Sequence, residues 1–547
     1  MQFDPWRSPR RFRATLPVAG ILLCLGASEV AGQTAVLSVT LNAAYVDRGQ
    51  PVTGKVTVNA AGSGTVDLAV DLQDQIGRVV DRYLARVTVS GTTIVEFSLS
   101  SQHVTTMIGK VQAGGQFLGG NTIDPVSATQ NIVPSPIDYD DFWCNVWGGG
   151  DTSNAAYFNA IRQANVNLGH IFRGNSYSGH LFNLRPNHDF LEDKVWFEMT
   201  ATTPLPEEQL ARYKVYLSGG NYGTAAARSH LVRPTSLNSA SSLEGLENKI
   251  RPRMQASRVW RPLQWNISDE YGIYRRAAPF DYDLGDDAIR QFVAWLQTRY
   301  ATIADLNTTW NTSFGSFNDL LDPINAPPGG EAALIVTQEI RDREFPLNSG
   351  AGLTSARDFA PWSDFRTFMD ITFAAAMKRC VEVGRSVDPD IRVGFEGAQA
   401  ATPLTGYDYA RQLREIGSIE AYDQANSPEY IRSMRNDRYG NRIFSFITLF
   451  NQGTQQNIYS LWYRLLHYGV SGAPIWEYRD ASAPANSFFA DLTSYGLTSY
   501  ATGVTPTFGE FENGLVKLLN QGEWDDSEVA LLYSQKTIQI NWMLDSE

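Results

Sequence analysis

A carboxylic acid donates a proton near neutral pH only where its surroundings keep that proton on, and the aromatic neighbours of Glu270 in the sequence could supply them. The run from Val259 to Ile267 reads as a strand that delivers Ser268-Asp269-Glu270-Tyr271-Gly272 to its end. Flanked by Trp265 and Tyr271, Glu270 is the candidate to protonate a glycosidic oxygen, with Asp269 and Tyr271 beside it to contact the sugar. The plainer reading of the same residues is an acidic pair that caps a helix or sits in a salt bridge. Arg173, after Ile171-Phe172, is placed to hold a carboxylate or a hydroxyl. His170 and His230 are lone histidines, a type more often structural than catalytic.

Other chemistries leave no trace. The chain has no His-Glu-x-x-His, no phosphate-cradling Gly-x-x-x-x-Gly-Lys-Ser/Thr, no dinucleotide fingerprint and no Gly-x-Ser-x-Gly. The expectation is therefore a protein with no cofactor and no metal.

These residues need a scaffold, and the texture of the chain describes one. Ten of the 13 tryptophans fall between Trp143 and Trp476, where short apolar runs alternate with helical patterns. Phe142 to Trp147, Val166 to Phe172, Ile391 to Phe395 and Gly472 to Trp476 read as strands. Between them, Tyr157 to Ala164, Asp286 to Tyr300, Phe365 to Val383 and Ile458 to His467 carry apolar residues at helical spacing. Repeated βα units suit a (β/α)₈ barrel, whose strands present their carboxyl ends to an active site; a doubly wound sheet fits the same periodicity.

Ahead of this region, from Thr34 to about Pro136, apolar and polar residues alternate in short segments such as Gly54 to Val58, Val66 to Val70 and Ala85 to Val89. That is the pattern of an antiparallel β-sandwich, here without tryptophan and so read as a packing module. The organisation expected is a signal peptide over 1–33, the sandwich over 34–136, the barrel over 137–524 and the opening of a further α/β domain over 525–547. The last reading rests on the strand-like Asp526 to Ser534.

The leader reading rests on Arg7, Arg10, Arg11 and Arg13 ahead of the short apolar run Leu16 to Gly26, then small residues from Ser28 to Gly32. The apolar run is too short for a comfortable membrane span, so the expectation is a secreted or periplasmic protein with none after processing. A net charge of −13 with no basic stripe argues against nucleic acid as a partner. Beyond the leader only Cys144 and Cys380 remain, and two widely spaced cysteines give no disulfide framework and no zinc-ligand pattern. The C-terminal region is the candidate surface for self-association.

Trp265-Asn266-Ile267-Ser268-Asp269-Glu270-Tyr271-Gly272 resembles the acid/base strand of glycoside hydrolase family 42, the β-galactosidase-type enzymes. The likeness continues in order through Phe292 to Tyr300, Leu306 to Trp310, Phe314 to Ser316, Asp364 to Phe368 and Leu466 to Arg479. Val529 to Tyr533 is similar to the start of that family's flavodoxin-like module. The resemblance implies a (β/α)₈ barrel that acts on an oligo- or polysaccharide, with Glu270 as general acid/base.

The chain departs from the family at one important point. The family's nucleophile is a glutamate at the end of the seventh strand, and the matching segment, Arg442 to Asn451, has no carboxylate. A second carboxylate must come from elsewhere: Glu477 beside Trp476, Glu396 after Val393-Gly394-Phe395, or Asp423 after Tyr422. Each of these is equally a buried acid that positions hydroxyls. A retaining pair would stand about 5–5.5 Å apart and an inverting pair about 6.5–9.5 Å apart. The alternative to catalysis is a silent glycan-binding barrel that has lost its nucleophile.

Overall fold

The alternating segments between Ala35 and Val133 zip into one sheet in the computed structural model. The structure describes residues 33–147, 155–172, 177, 179, 184–189, 198–199, 235–273, 283, 285–321, 360–401, 406–422, 427–434, 444–447, 453–476, 487–522, 529–530 and 532–545. Six strands, β1 (Ala35–Leu41), β2 (Tyr45–Asp47), β3 (Pro51–Asp74), β4 (Val79–Ser100), β5 (Ile108–Phe117) and β6 (Thr122–Val133), are ordered β1-β3-β5-β6-β2, with β4 also paired to β3.

Every pair is antiparallel except β2 with β6. The segments expected as separate strands at Gly54 to Val58 and Val66 to Val70 are two halves of the single strand β3. Its register slips between Ala60 and Gly64. Because β4 runs beside β3 on both sides of that slip, the glycines there make an irregularity in the strand and not a chain reversal. The first half of β3 holds β1 and the second half holds β5, and β1 comes back against β6. The expected sandwich is thus one sheet folded over a core that includes Val52, Val56, Val58, Val66, Leu68, Val70 and Leu72.

The following region builds an all-parallel sheet of eight strands: β7 (Trp143–Val146), β8 (Leu168–Phe172), β9 (Arg185–Asp189), β11 (Gln264–Asp269), β13 (Arg392–Ala398), β14 (Ser418–Ala421), β15 (Phe444–Ile447) and β16 (Gly472–Ile475). Two short strands, β10 (Glu198–Met199) and β12 (Tyr271–Gly272), pair with each other outside it. The order β7-β16-β15-β14-β13-β11-β9-β8 follows the chain, so each strand lies beside its successor. The sheet curls until its two end strands, β7 and β8, pack together. There Asn167 bridges them, accepting from Cys144 N at 2.8 Å and donating to Phe142 O at 2.8 Å.

Side chains alternate across this sheet. Trp265, Ile267, Val393, Phe395, Ile419 and Ala421 face outward into a core shared with the helices Asp286–Arg299 and Ala360–Val387. Cys144, Val146, Ala473 and Ile475 do the same against the helices Ala155–Gln163 and Ser499–Glu510. The positions between them are polar and buried: Asn145, His170, Gln264, Asn266, Glu396, Ser418 and Glu420.

Two local expectations are corrected. The helix Ala240–Ser257 runs into a 3₁₀ turn at Arg258–Trp260, so the strand bearing Glu270 begins at Gln264 and not near Val259. Arg261, at φ 42° ahead of Pro262, turns the chain between them. Toward the C-terminus, the described residues of the expected strand, 529–530 and 532–534, take no regular secondary structure, and the helix Gln535–Asp545 follows. That helix lies on Ala360–Val387, tied to it by Gln539 Nε2 donating to Asp370 Oδ2 at 3.0 Å. An apolar run such as Ala530 to Tyr533 makes a strand only where a neighbour accepts its backbone hydrogen bonds.

Candidate active site

Neighbouring parallel strands bring Glu270 and Glu396 together. β11 and β13 run in register from Gln264↔Arg392 to Asn266↔Gly394, slip, and meet again at Asp269↔Glu396. The slip aims Glu270 just beyond the ladder. Its backbone N–H donates to Glu396 O at 3.0 Å, and it takes φ 54°, a left-handed conformation that costs a residue with a side chain roughly 1–2 kcal/mol. Gly397, at φ +65°, leaves room for this turn. A Cβ there would stand 2.4 Å from Asp269 Oδ1 and 2.8 Å from both Glu270 N and Glu270 Cγ.

Both glutamates are buried and hydrogen-bonded. Tyr422, just past β14, donates its hydroxyl to Glu270 Oε1 at 2.7 Å. Burial, followed by the charges of Asp269 and Glu270, pushes the Tyr422 phenol far above its ordinary range, so it stays a neutral donor. Glu396 accepts from Trp147 Nε1 at Oε1 and from Asn266 Nδ2 at Oε2, each at 3.2 Å. Donors on both oxygens favour the ionised form of a carboxyl group. Trp147, past the end of β7, also packs against Trp476 at 4.6 Å between ring centroids and lies 6.0 Å from His170.

The residues that meet here come from the carboxyl ends of β7, β11, β13, β14 and β16. They form two acids with distinct environments beside a pair of indoles. A tyrosine-supported acid can hold and release a proton, a carboxylate held by two donors can orient a water or a hydroxyl, and indole faces stack on sugar rings.

Of the residues singled out from sequence, Glu270, Glu396, Asp269, Tyr422 and Trp476 gather at this end of the sheet. Glu477, Asp423 and Arg173 lie outside the described residues, as does the side chain of Tyr271. Sequence reasoning missed Trp147, Asn266, Glu420 and Gly397. Trp147 was accessible by the rule applied to Glu270, since it follows the last residue of a strand. Asn266 lies within β11, four residues before Glu270.

Residues 255–429 match the family model described as β-galactosidase, that of glycoside hydrolase family 42. Among curated proteins, β-galactosidase BbgII of Bifidobacterium bifidum is 39% identical over 66 residues, 11% of this chain and 9% of that protein. β-Galactosidase LacZ of Heyndrickxia coagulans is 23% identical over 251 residues, 45% of this chain and 33% of that one. The chain therefore spans a third or less of the length of these relatives. A solved β-galactosidase from the Antarctic haloarchaeon Halorubrum lacusprofundi is similar with a TM-score of 0.41 and 12% identity, over 70% of this chain and 62% of that one. The matched segment contains Glu270, Glu396 and Tyr422, and in it this chain is similar to the β-galactosidases of glycoside hydrolase family 42.

Proposed function

We propose that the chain is an exported glycoside hydrolase that cleaves a β-galactoside or a related polysaccharide, with Glu270 as general acid/base. The curled sheet is read as a closed (β/α)₈ barrel over 137–524, carried behind a β-rich module over 34–136. The observation that carries the proposal is the buried Glu270 carboxyl at a strand's carboxyl end, bonded by the Tyr422 hydroxyl within the segment that matches the family model. Glu270 protonates the leaving oxygen, and Glu396, held by Trp147 and Asn266, is the best-supported second carboxylate. It attacks the anomeric carbon or draws a proton from water, according to its separation from Glu270.

One observation favours a rival. The strand Phe444–Ile447 brings no carboxylate to the position of the family's nucleophile, which suits a silent glycan-binding protein. Turnover of aryl β-galactosides and galactans by wild type, Glu270→Gln and Glu396→Gln separates the two. The hydrolase reading expects a loss of about 10²–10⁴-fold in Glu270→Gln on substrates with poor leaving groups. Galactan binding without turnover by wild type, unchanged in Glu270→Gln, would establish the silent reading instead.

A further inference from the structure

At the opposite, amino-terminal end of the parallel strands lies a cleft of about 620 Å³, at the seam with the folded-over sheet. Its lining comes from both regions: Arg48 from the chain after β2, Trp143 and Arg185 from the starts of β7 and β9, Arg162 from the helix Ala155–Gln163, and the acids Asp141 and Glu512. The volume is within the range of small-molecule sites. We propose that this cleft binds a small oxyanion on its Arg48–Arg185 wall, as free sulfate or phosphate or as the acidic group of a sugar.

The guanidinium of Arg185 is fixed before any ligand arrives. Nη1 donates to Arg261 O and Nη2 to Ser135 O, each at 2.9 Å, and the group lies over the Trp143 ring at 5.7 Å. These bonds use two of its five N–H donors and no carboxylate, so carbonyl dipoles and the Trp143 ring face meet its charge in these contacts. Arg261 is already paired with Asp47 at 3.0 Å. Burial pushes the Arg185 pKa down to about 10, and the neighbouring charges of Arg261 and Arg48 push the same way. Like charges held together in a partly desolvated seam are relieved by an anion that bridges them.

The two acids in the lining suit the rest of such a ligand. Asp141 is held by Lys517 at 3.5 Å, and burial raises the Glu512 carboxyl above its usual range. Two acids beside an arginine wall accept hydroxyl groups well, which fits an acidic sugar better than a bare ion.

Calorimetric titration of the full chain with sulfate, phosphate and glucuronate, against galactose and a chloride control at equal ionic strength, tests this. Saturable binding of an anion is expected. Arg48→Gln and Arg185→Gln should each weaken it by at least about tenfold, as loss of a charge-assisted pair does. Glu512→Gln should tighten it a few-fold, and Glu270→Gln should leave it alone. Binding of glucuronate but not of the inorganic ions assigns the cleft to an acidic sugar, whereas comparable binding of all three assigns it to the oxyanion itself. Should Arg185→Gln fail to fold, Arg48→Gln decides. The proposal is overturned by no saturable binding of any anion, by equal binding of galactose, or by unchanged affinity in the arginine variants.

Discussion

Both sheets alternate apolar and polar side chains, yet the alternation means different things in each. In the folded-over sheet it separates core from solvent: Val56 and Val58 are buried, while Lys55 reaches outward to an exposed pairing with Glu96 at 3.3 Å. In the curled parallel sheet it separates core from a second interior. The outward residues pack under helices, and the inward ones, including Asn145, Gln264, Asn266, Glu396, Ser418 and Glu420, are polar although no water-facing surface accounts for them. Burying polar groups costs stability unless each is satisfied. A fold that accepts this along one inner face, ending at Glu270, forgoes stability there, as the proposed site would require.

The contrast can be broken most forcefully from the apolar side. Val56→Asp would bury an unpaired charge in the folded-over core, and a loss of about 4 kcal/mol or more is expected in urea denaturation. A fall below 1 kcal/mol would mean that this core is not packed as described. Gly397→Ala comes next. Its Cβ would collide with Asp269 Oδ1 and Glu270 N at a left-handed position, so a stability loss of about 1–3 kcal/mol is expected. Because the collision is with the strand end that aims Glu270, kcat should fall roughly tenfold to a hundredfold. Wild-type kcat in a destabilised variant would detach Gly397 from the site.

How far the sequence alone revealed these two sheets follows from the same contrast. Helices such as Asp286–Arg299 and Thr454–Tyr468 were legible because an outer helix has one apolar face and one wet one. Glu270 and Glu396 were legible because they end apolar runs. Asn266 and Glu420 were not: within a strand, a polar residue facing an enclosed interior looks like one facing solvent. The course of β3 was hidden for a related reason, since Gly62-Ser63-Gly64 has the composition of a turn and only the partner strand β4 makes it a slip in register. The same holds for the stretch Asp526 to Ser534, expected as a strand, whose described residues take no regular structure. Local propensity carries no information about whether a neighbour is there to pair with.

Tyr422→Phe sharpens the polar side of the comparison with a smaller effect. It deletes the hydroxyl that donates to Glu270 Oε1. That bond favours the ionised acid, so its removal raises the Glu270 pKa. A general acid must be protonated to work, and the alkaline limb of kcat/KM should therefore move to higher pH, by up to about one unit. The rate at the optimum should drop about tenfold. A pH profile that stays in place would show that Tyr422 does not tune Glu270.

The smallest expected effect distinguishes the sheets by sign. The Ser418 Oγ is buried on the inner face of β14 with no hydrogen-bond partner among the described residues. Ser418→Ala removes a hydroxyl whose desolvation is uncompensated, and stability should rise by about 0.5–2 kcal/mol. The equivalent truncation in the other sheet, Val58→Ala, removes two methyl groups from a closed core and should lower stability by about 1–3 kcal/mol. The same shortening of a buried side chain would then stabilise one sheet and destabilise the other. If Ser418→Ala instead lowers the urea midpoint, that hydroxyl is satisfied in solution, and the inner face is less costly at the β14 level than its polarity suggests.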